Sequence, residues 1–132
     1  MREQGYDLDL VTTSGASAGA LTATLTATNV DFVKATELAL QMADDAGVWD
    51  RSGGLQGIWG PLIDDWLDQL LPDNALDFVD NDRLSLLVTP VPSFGKNKVS
   101  NFHSRRDLIQ CNLASVHLVS PMLECDFIIK LP

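Results

Sequence analysis

Ser17 stands between two glycines, in Gly15-Ala16-Ser17-Ala18-Gly19. An apolar run, Leu8-Asp9-Leu10-Val11, precedes it, and an Ala-rich stretch, Ala20-Leu21-Thr22-Ala23, follows. A strand that turns sharply into a helix through G-x-S-x-G exposes the serine hydroxyl at the tip of the turn, where it can attack an acyl carbon. Such a turn is tight, so any side chain larger than hydrogen at positions 15 and 19 is expected to collide with the flanking strand and helix. Ser17 is expected in a strained backbone conformation, at the positive end of the dipole of the helix that follows. The backbone N–H of Ala18 is the expected donor to an oxyanion. A plain glycine turn carrying a solvent-facing serine is the competing reading of the same five residues.

Other residues with chemical potential are sparse. His103 and His117 stand apart, with no pairing at metal-ligand spacing, so neither a metal nor another cofactor is expected. Cys111 and Cys125 are too few for a disulfide framework and read as reduced, buried thiols. The glycine-rich run Ser52-Gly53-Gly54-Leu55-Gln56-Gly57 could cradle an oxyanion. It follows the serine in the chain, and reads better as a connector.

The longer string Thr13-Ser14-Gly15-Ala16-Ser17-Ala18-Gly19-Ala20-Leu21 resembles the nucleophile segment of patatin-like phospholipases. Arg2-Glu3-Gln4-Gly5-Tyr6 resembles the end of the helix that precedes that segment. Ser104-Arg105-Arg106-Asp107-Leu108, with Ala114-Ser115-Val116-His117, resembles a later helix of the family. The resemblance spans about residues 2–117. It implies a three-layer α/β sandwich with a mostly parallel sheet flanked by helices. It also implies hydrolysis of lipid acyl esters by a Ser–Asp dyad, with Ser17 as nucleophile.

Two parts of the family pattern have no counterpart here. A glycine-rich oxyanion loop is expected upstream of the serine, yet Gly5 is the sole glycine before the elbow. The catalytic aspartate is expected in an Asp-Gly motif, and the chain contains no Asp-Gly dipeptide. Asp126 follows the serine at a distance, but Phe127 stands where the motif needs glycine. Residues 1–132 therefore read as the middle of a patatin-like domain, expected to turn over esters near background by itself. Two alternatives stay open. One is a non-catalytic fragment or remnant of such a domain. The other is a triad-type α/β-hydrolase esterase, with His117 as base.

Positioning these residues requires strands and helices in alternation. Residues 6–13 read as a buried strand. Thr22, Thr24, Thr26 and Thr28 alternate with Ala and Leu, a period of two that suits a strand. The interleaved residues are strong helix formers, and the elbow requires a helix, so residues 18–28 are assigned as helix. Asn29 or Asp31 is the expected cap of a second helix ending near Asp45, with Gly47 as its stop. Residues 47–60 read as a loop. Residues 61–71 carry one apolar stripe, Ile63, Trp66, Leu67, Leu70 and Leu71, behind Pro61. The stripe reads as core-facing, with a lid or lipid-facing helix as the alternative. A short helix after Asp73, strands at 84–89 and 96–102, and a helix from a capping box at Ser104 and Asp107 to about Ser115 complete the chain.

Composition narrows the function classes. A 45% hydrophobic and 20% charged chain has ordinary globular composition. The net charge of −9 opposes binding to nucleic acid. It also opposes electrostatic docking on anionic membranes, leaving apolar insertion as the route to a membrane or lipid-droplet surface. Lys96, Lys98, Arg105 and Arg106 form the one basic cluster, read as a solvated face, with phospholipid head groups as the alternative. No stretch approaches a membrane span of about 20 apolar residues, and the N-terminal residues have no signal-peptide core. An intracellular location is therefore expected.

Overall fold

The computed structural model describes residues 4–5, 11–88 and 97–116. Strand β1, Thr13–Ala16, leads through Ser17 into helix α1, Ala18–Ala27. Helix α2 spans Phe32–Asp45, and a single 3-10 turn covers Val48–Asp50. Helices α3, Trp59–Leu70, and α4, Ala75–Val79, precede strands β2, Leu84–Val88, and β3, Asn97–Val99. Helix α5, Arg105–Val116, follows.

The strands form one sheet in the order β1-β2-β3. β1 runs parallel to β2, with Thr13 opposite Leu84 and Ala16 opposite Leu87. β3 runs antiparallel to β2, with Leu86 opposite Val99. The chain is thus α/β, but the described sheet is mixed rather than mostly parallel. An antiparallel pair, unlike a parallel one, needs no crossover helix.

Alternation along the strands separates the two faces. Leu84, Leu86 and Val88 are buried on one face, with Thr13 and Gly15 beside them on β1, while Leu87 and Ala16 are exposed on the other. Helices α1 and α5 pack on the buried face. Ala20, Leu21, Ala23 and Leu25 of α1 join Leu108, Ile109 and Leu113 of α5 in one core with Leu84 and Leu86. The α3 stripe faces that core as expected. Ile63 and Leu67 are buried, Leu71 follows them, and Trp66 and Leu70 pack at the edge.

The threonines of α1 fit a helix because their hydroxyls are used locally. Thr22 donates to the Ala18 carbonyl at 3.1 Å, Thr26 to that of Thr22 at 2.8 Å and Thr28 to that of Thr24 at 2.7 Å. Thr24 points into the core instead. Its hydroxyl donates to Oδ1 of the fully buried Asn112 at 3.0 Å, and Nδ2 of Asn112 donates to the Leu108 carbonyl at 3.0 Å. Every polar atom of this buried pair is engaged, which removes the cost of burying it.

Caps set the helix ends. Asp31 accepts from the N–H groups of Val33 at 2.8 Å and Lys34 at 3.3 Å, so it starts α2. Gly47, at φ 64°, ends the segment in a left-handed conformation. At the start of α5, Ser104 Oγ accepts from the Asp107 N–H at 3.0 Å. Asp107 reaches back to the His103 N–H at 2.9 Å, one residue earlier than a capping box strictly requires.

Two expectations shift. The strand before the elbow begins at Thr13, whose N–H donates to the Arg83 carbonyl at 2.7 Å. Val11 precedes that first rung and is 48% exposed rather than buried; Leu8, Asp9 and Leu10 lie outside the described residues. The arginines of the basic cluster also turn inward on α3. Arg105 donates to the carbonyls of Asp68, Leu71 and Pro72 at the C-terminal end of α3, and pairs with the Asp68 carboxylate at 2.6 Å. Arg106 is paired through both terminal nitrogens with Asp64, which raises its pKa chiefly through that hydrogen bond. Neither guanidinium is a bare cation awaiting a head group.

Candidate functional site

The elbow forms where the sequence places it. Ser17 has φ 54° and ψ −127°, a conformation costly for any residue with a Cβ. It joins the end of β1 to the start of α1 with no residue to spare. The side chain of Ser17 is exposed, as are Ala18 and Gly19. Among the described residues no group hydrogen-bonds the Ser17 hydroxyl, and none accepts from the Ala18 N–H. The Ala18 donor is thus unclaimed among the described residues, at the mouth of the turn where the N-terminal end of α1 adds its partial positive charge.

The two glycines serve differently. A Cβ added at Gly15 would lie 2.1 Å from the carbonyl oxygen of Gly19 and 2.7 Å from the backbone nitrogen of Ala20. Only glycine lets the first turn of α1 cross β1 so closely. At Gly19 a Cβ meets nothing within 4 Å among the described residues. The expected collision at position 19 is thus absent. Gly19 contributes its carbonyl to the crowding at Gly15, and its own side-chain position opens to solvent.

A residue distant in sequence completes the turn. The Ser17 N–H donates to Ser115 Oγ at 3.0 Å, and Ser115 Oγ donates to the Leu87 carbonyl at 2.7 Å. Nothing in the sequence marks Ser115 for this place, which depends on α5 crossing the sheet near the end of β1. Leu87 is opposite Ala16 on the sheet face away from the helices and is 38% exposed. It places an apolar surface beside the residue that precedes Ser17.

His103 is not part of this constellation. It precedes the N-terminus of α5, whereas Ser115 is near the C-terminus, about 15 Å away along the helix. A catalytic base must come within about 3 Å. A cavity of about 300 Å³, lined by Val79, Asn81, Ser100, Phe102 and His103 among others, also lies at the far end. Asn81 precedes the start of β2, and Ser100 follows β3 as it returns to that same end. Ser17 stands at the opposite end of the sheet. His117, Cys125 and Asp126 lie outside the described residues.

Cys111 is buried on α5 and unpaired, as the sequence suggested, and burial pushes its thiol up to about 12, with Asp107 adding to the shift. No three His, Cys, Asp or Glu side chains among the described residues are grouped to hold a metal ion. No described helix is long and apolar enough to cross a membrane. No protein-family model, curated protein or solved structure matches the chain.

Proposed function

We propose that this chain is a serine acyl hydrolase of patatin-like type, acting on phospholipid or acylglycerol esters with Ser17 as nucleophile. The observation that carries the reading is the backbone of Ser17. A serine with φ 54°, at a one-residue strand-to-helix turn beside a glycine that tolerates no Cβ, is held at a conformational cost. Strain of this kind persists where it positions a reacting group.

In this reading Ser17 Oγ attacks the ester carbonyl carbon and gives its proton to a base. The carbonyl oxygen becomes an oxyanion, and the Ala18 N–H is one donor to it. Collapse breaks the bond to the alcohol oxygen, which leaves with the proton. Water then attacks the acyl-serine, releasing the fatty acid and restoring the hydroxyl. The family resemblance implies an aspartate as base. None of the described residues fills that role.

The exposed Leu87 and Ala16 offer an apolar seat for the acyl chain next to the nucleophile. Contact with a membrane or lipid-droplet surface would rest on apolar groups, among which Phe32, Val33, Leu40 and Trp49 are exposed. The charge of −9 adds no attraction to anionic lipid or nucleic acid.

A non-catalytic reading is favoured by one observation: the Ser17 hydroxyl has no hydrogen-bonding partner among the described residues. Pre-steady-state kinetics with p-nitrophenyl butyrate separates the two. A Ser17 acyl hydrolase, however slow, releases nitrophenol at a rate that falls in Ser17→Ala, with a burst approaching one equivalent per chain where acylation outpaces deacylation. A chain whose nitrophenol release is the same in Ser17→Ala is not a Ser17 acyl hydrolase.

A further inference from the structure

The rungs between β1 and β2 advance two residues at a time. Thr13, opposite Leu84, donates its N–H to the Arg83 carbonyl at 2.7 Å. In this register the rung that would fall at Ser17 joins its N–H to the Leu87 carbonyl. That direct bond is not made. At the end of β1, where the chain turns at Ser17, the Ser115 hydroxyl fills the gap. It accepts from Ser17 N–H at 3.0 Å and donates to Leu87 O at 2.7 Å.

We propose that Ser115 is a positioning residue for Ser17, its hydroxyl standing in for one rung of the sheet and holding the elbow in its strained form. The geometry demands an atom that accepts and donates at once, which a hydroxyl does and a methyl does not. Without it, two backbone groups that faced each other lose their common partner. The least costly remedy is for Ser17 to flatten and rejoin the ladder directly. That movement would turn the hydroxyl away from the tip of the turn and carry the Ala18 N–H with it. α5 is well placed to hold Ser115 firmly. Leu108, Ile109, Asn112 and Leu113 are buried, and Asn112 is bonded to Thr24 of α1, the helix that Ser17 begins. The elbow is thereby clamped to α5 at two levels, Ser115 at the turn and Asn112 two turns along α1.

The role of Ser115 in reaction rests on the reading of Ser17 as a nucleophile; its hold on the backbone does not. The test compares three replacements in the full chain: Ser115→Thr, which keeps the hydroxyl, Ser115→Val, which copies threonine's shape without it, and Ser115→Ala. Solvent exchange of the Ser17 amide is read by NMR, with the amides of Leu67 and Ile109 as controls for intact folding. The rate of covalent capture by a fluorophosphonate is measured in the same proteins. Ser115→Thr is expected to keep both rates within about threefold of the native chain. Ser115→Val and Ser115→Ala are expected to speed Ser17 exchange about tenfold or more and to slow capture by a similar factor, the control amides unchanged. Unchanged Ser17 exchange in Ser115→Ala, or equal behaviour of the Thr and Val variants, overturns the proposal. A native chain that is never captured refutes the nucleophile reading alone, because amide exchange still judges the hold of Ser115 on the elbow.

Discussion

Gly15 lies so close beneath the first turn of α1 that a methyl group on it would meet the Gly19 carbonyl oxygen at 2.1 Å. The atoms it would meet, Gly19 O and C and Ala20 N, belong to backbone and cannot swing aside. Gly15→Ala must therefore push β1 and α1 apart, at an expected cost of several kcal/mol, as overpacking against rigid neighbours usually brings. Gly19→Ala meets nothing among the described residues and lies in a helix, where alanine is favoured over glycine by about 1 kcal/mol. Urea unfolding of the two variants should therefore move in opposite directions. Equal destabilisation would mean that the turn is not built as described.

The buried pair of Thr24 and Asn112 should be worth more than its size suggests. Asn112→Ala removes the partner of the Thr24 hydroxyl and empties volume at a fully buried position. A loss of about 2–4 kcal/mol is expected, combining the orphaned hydroxyl with the cavity. Thr24→Val keeps the shape, and Asn112 retains its bond to the Leu108 carbonyl, so about 1–2 kcal/mol is expected there. A double-mutant cycle should show the two losses to be non-additive. Additive losses would contradict a direct bond.

Much of this architecture was legible from residue types. Ser17 with its two glycines marked the elbow, Asp31 and Gly47 marked the ends of the α2 segment, and the α3 stripe pointed to the core. The threonines of α1 gave a conflicting period of two, resolved only by their hydroxyls returning to carbonyls one turn back. Long-range geometry stayed hidden. The bond from Ser17 to Ser115 joins residues 98 positions apart, and no local pattern records it. The antiparallel pairing of β3 was similarly unmarked, since a three-residue strand with two exposed positions carries little periodicity. The inward turn of Arg105 depends on where α3 ends, in a different part of the chain.

Cys111 gives a dependence on alkaline pH. Its thiol is pushed up to about 12 in the folded chain, above the ordinary value near 9, chiefly by burial. The unfolded chain therefore releases this proton first as pH rises, and stability is lost between roughly pH 9 and 12. Below pH 9 this contribution is fully present. Other groups titrate in the same window, so the quantity to measure is the difference in unfolding free energy between the native chain and Cys111→Ala. The native chain's advantage should shrink from pH 8 to pH 11. A difference that is flat or grows would show that the thiol is not buried in its neutral form.

His103 should be dispensable for chemistry at Ser17. It is separated from the elbow by the length of α5, and its backbone N–H donates to the Asp107 carboxylate. His103→Ala is expected to leave the rate of fluorophosphonate capture at Ser17 within about twofold of native. His117 lies outside the described residues, and the dyad resemblance expects it to be dispensable too. In a completed, active domain, a loss of turnover of about 10³-fold or more on replacing either histidine, of the order expected for a catalytic base, would favour a triad hydrolase.

Ser17 is either a nucleophile or simply a serine in a tight turn. Intact-mass analysis of the chain after prolonged exposure to a fluorophosphonate, followed by peptide mapping, tests this most directly. One adduct per chain is expected, located on Ser17 among all its serines, with Ser17→Ala remaining unlabelled. No adduct at Ser17, or labelling of Ser17→Ala at the native rate, would contradict the assignment of Ser17 as the reacting group.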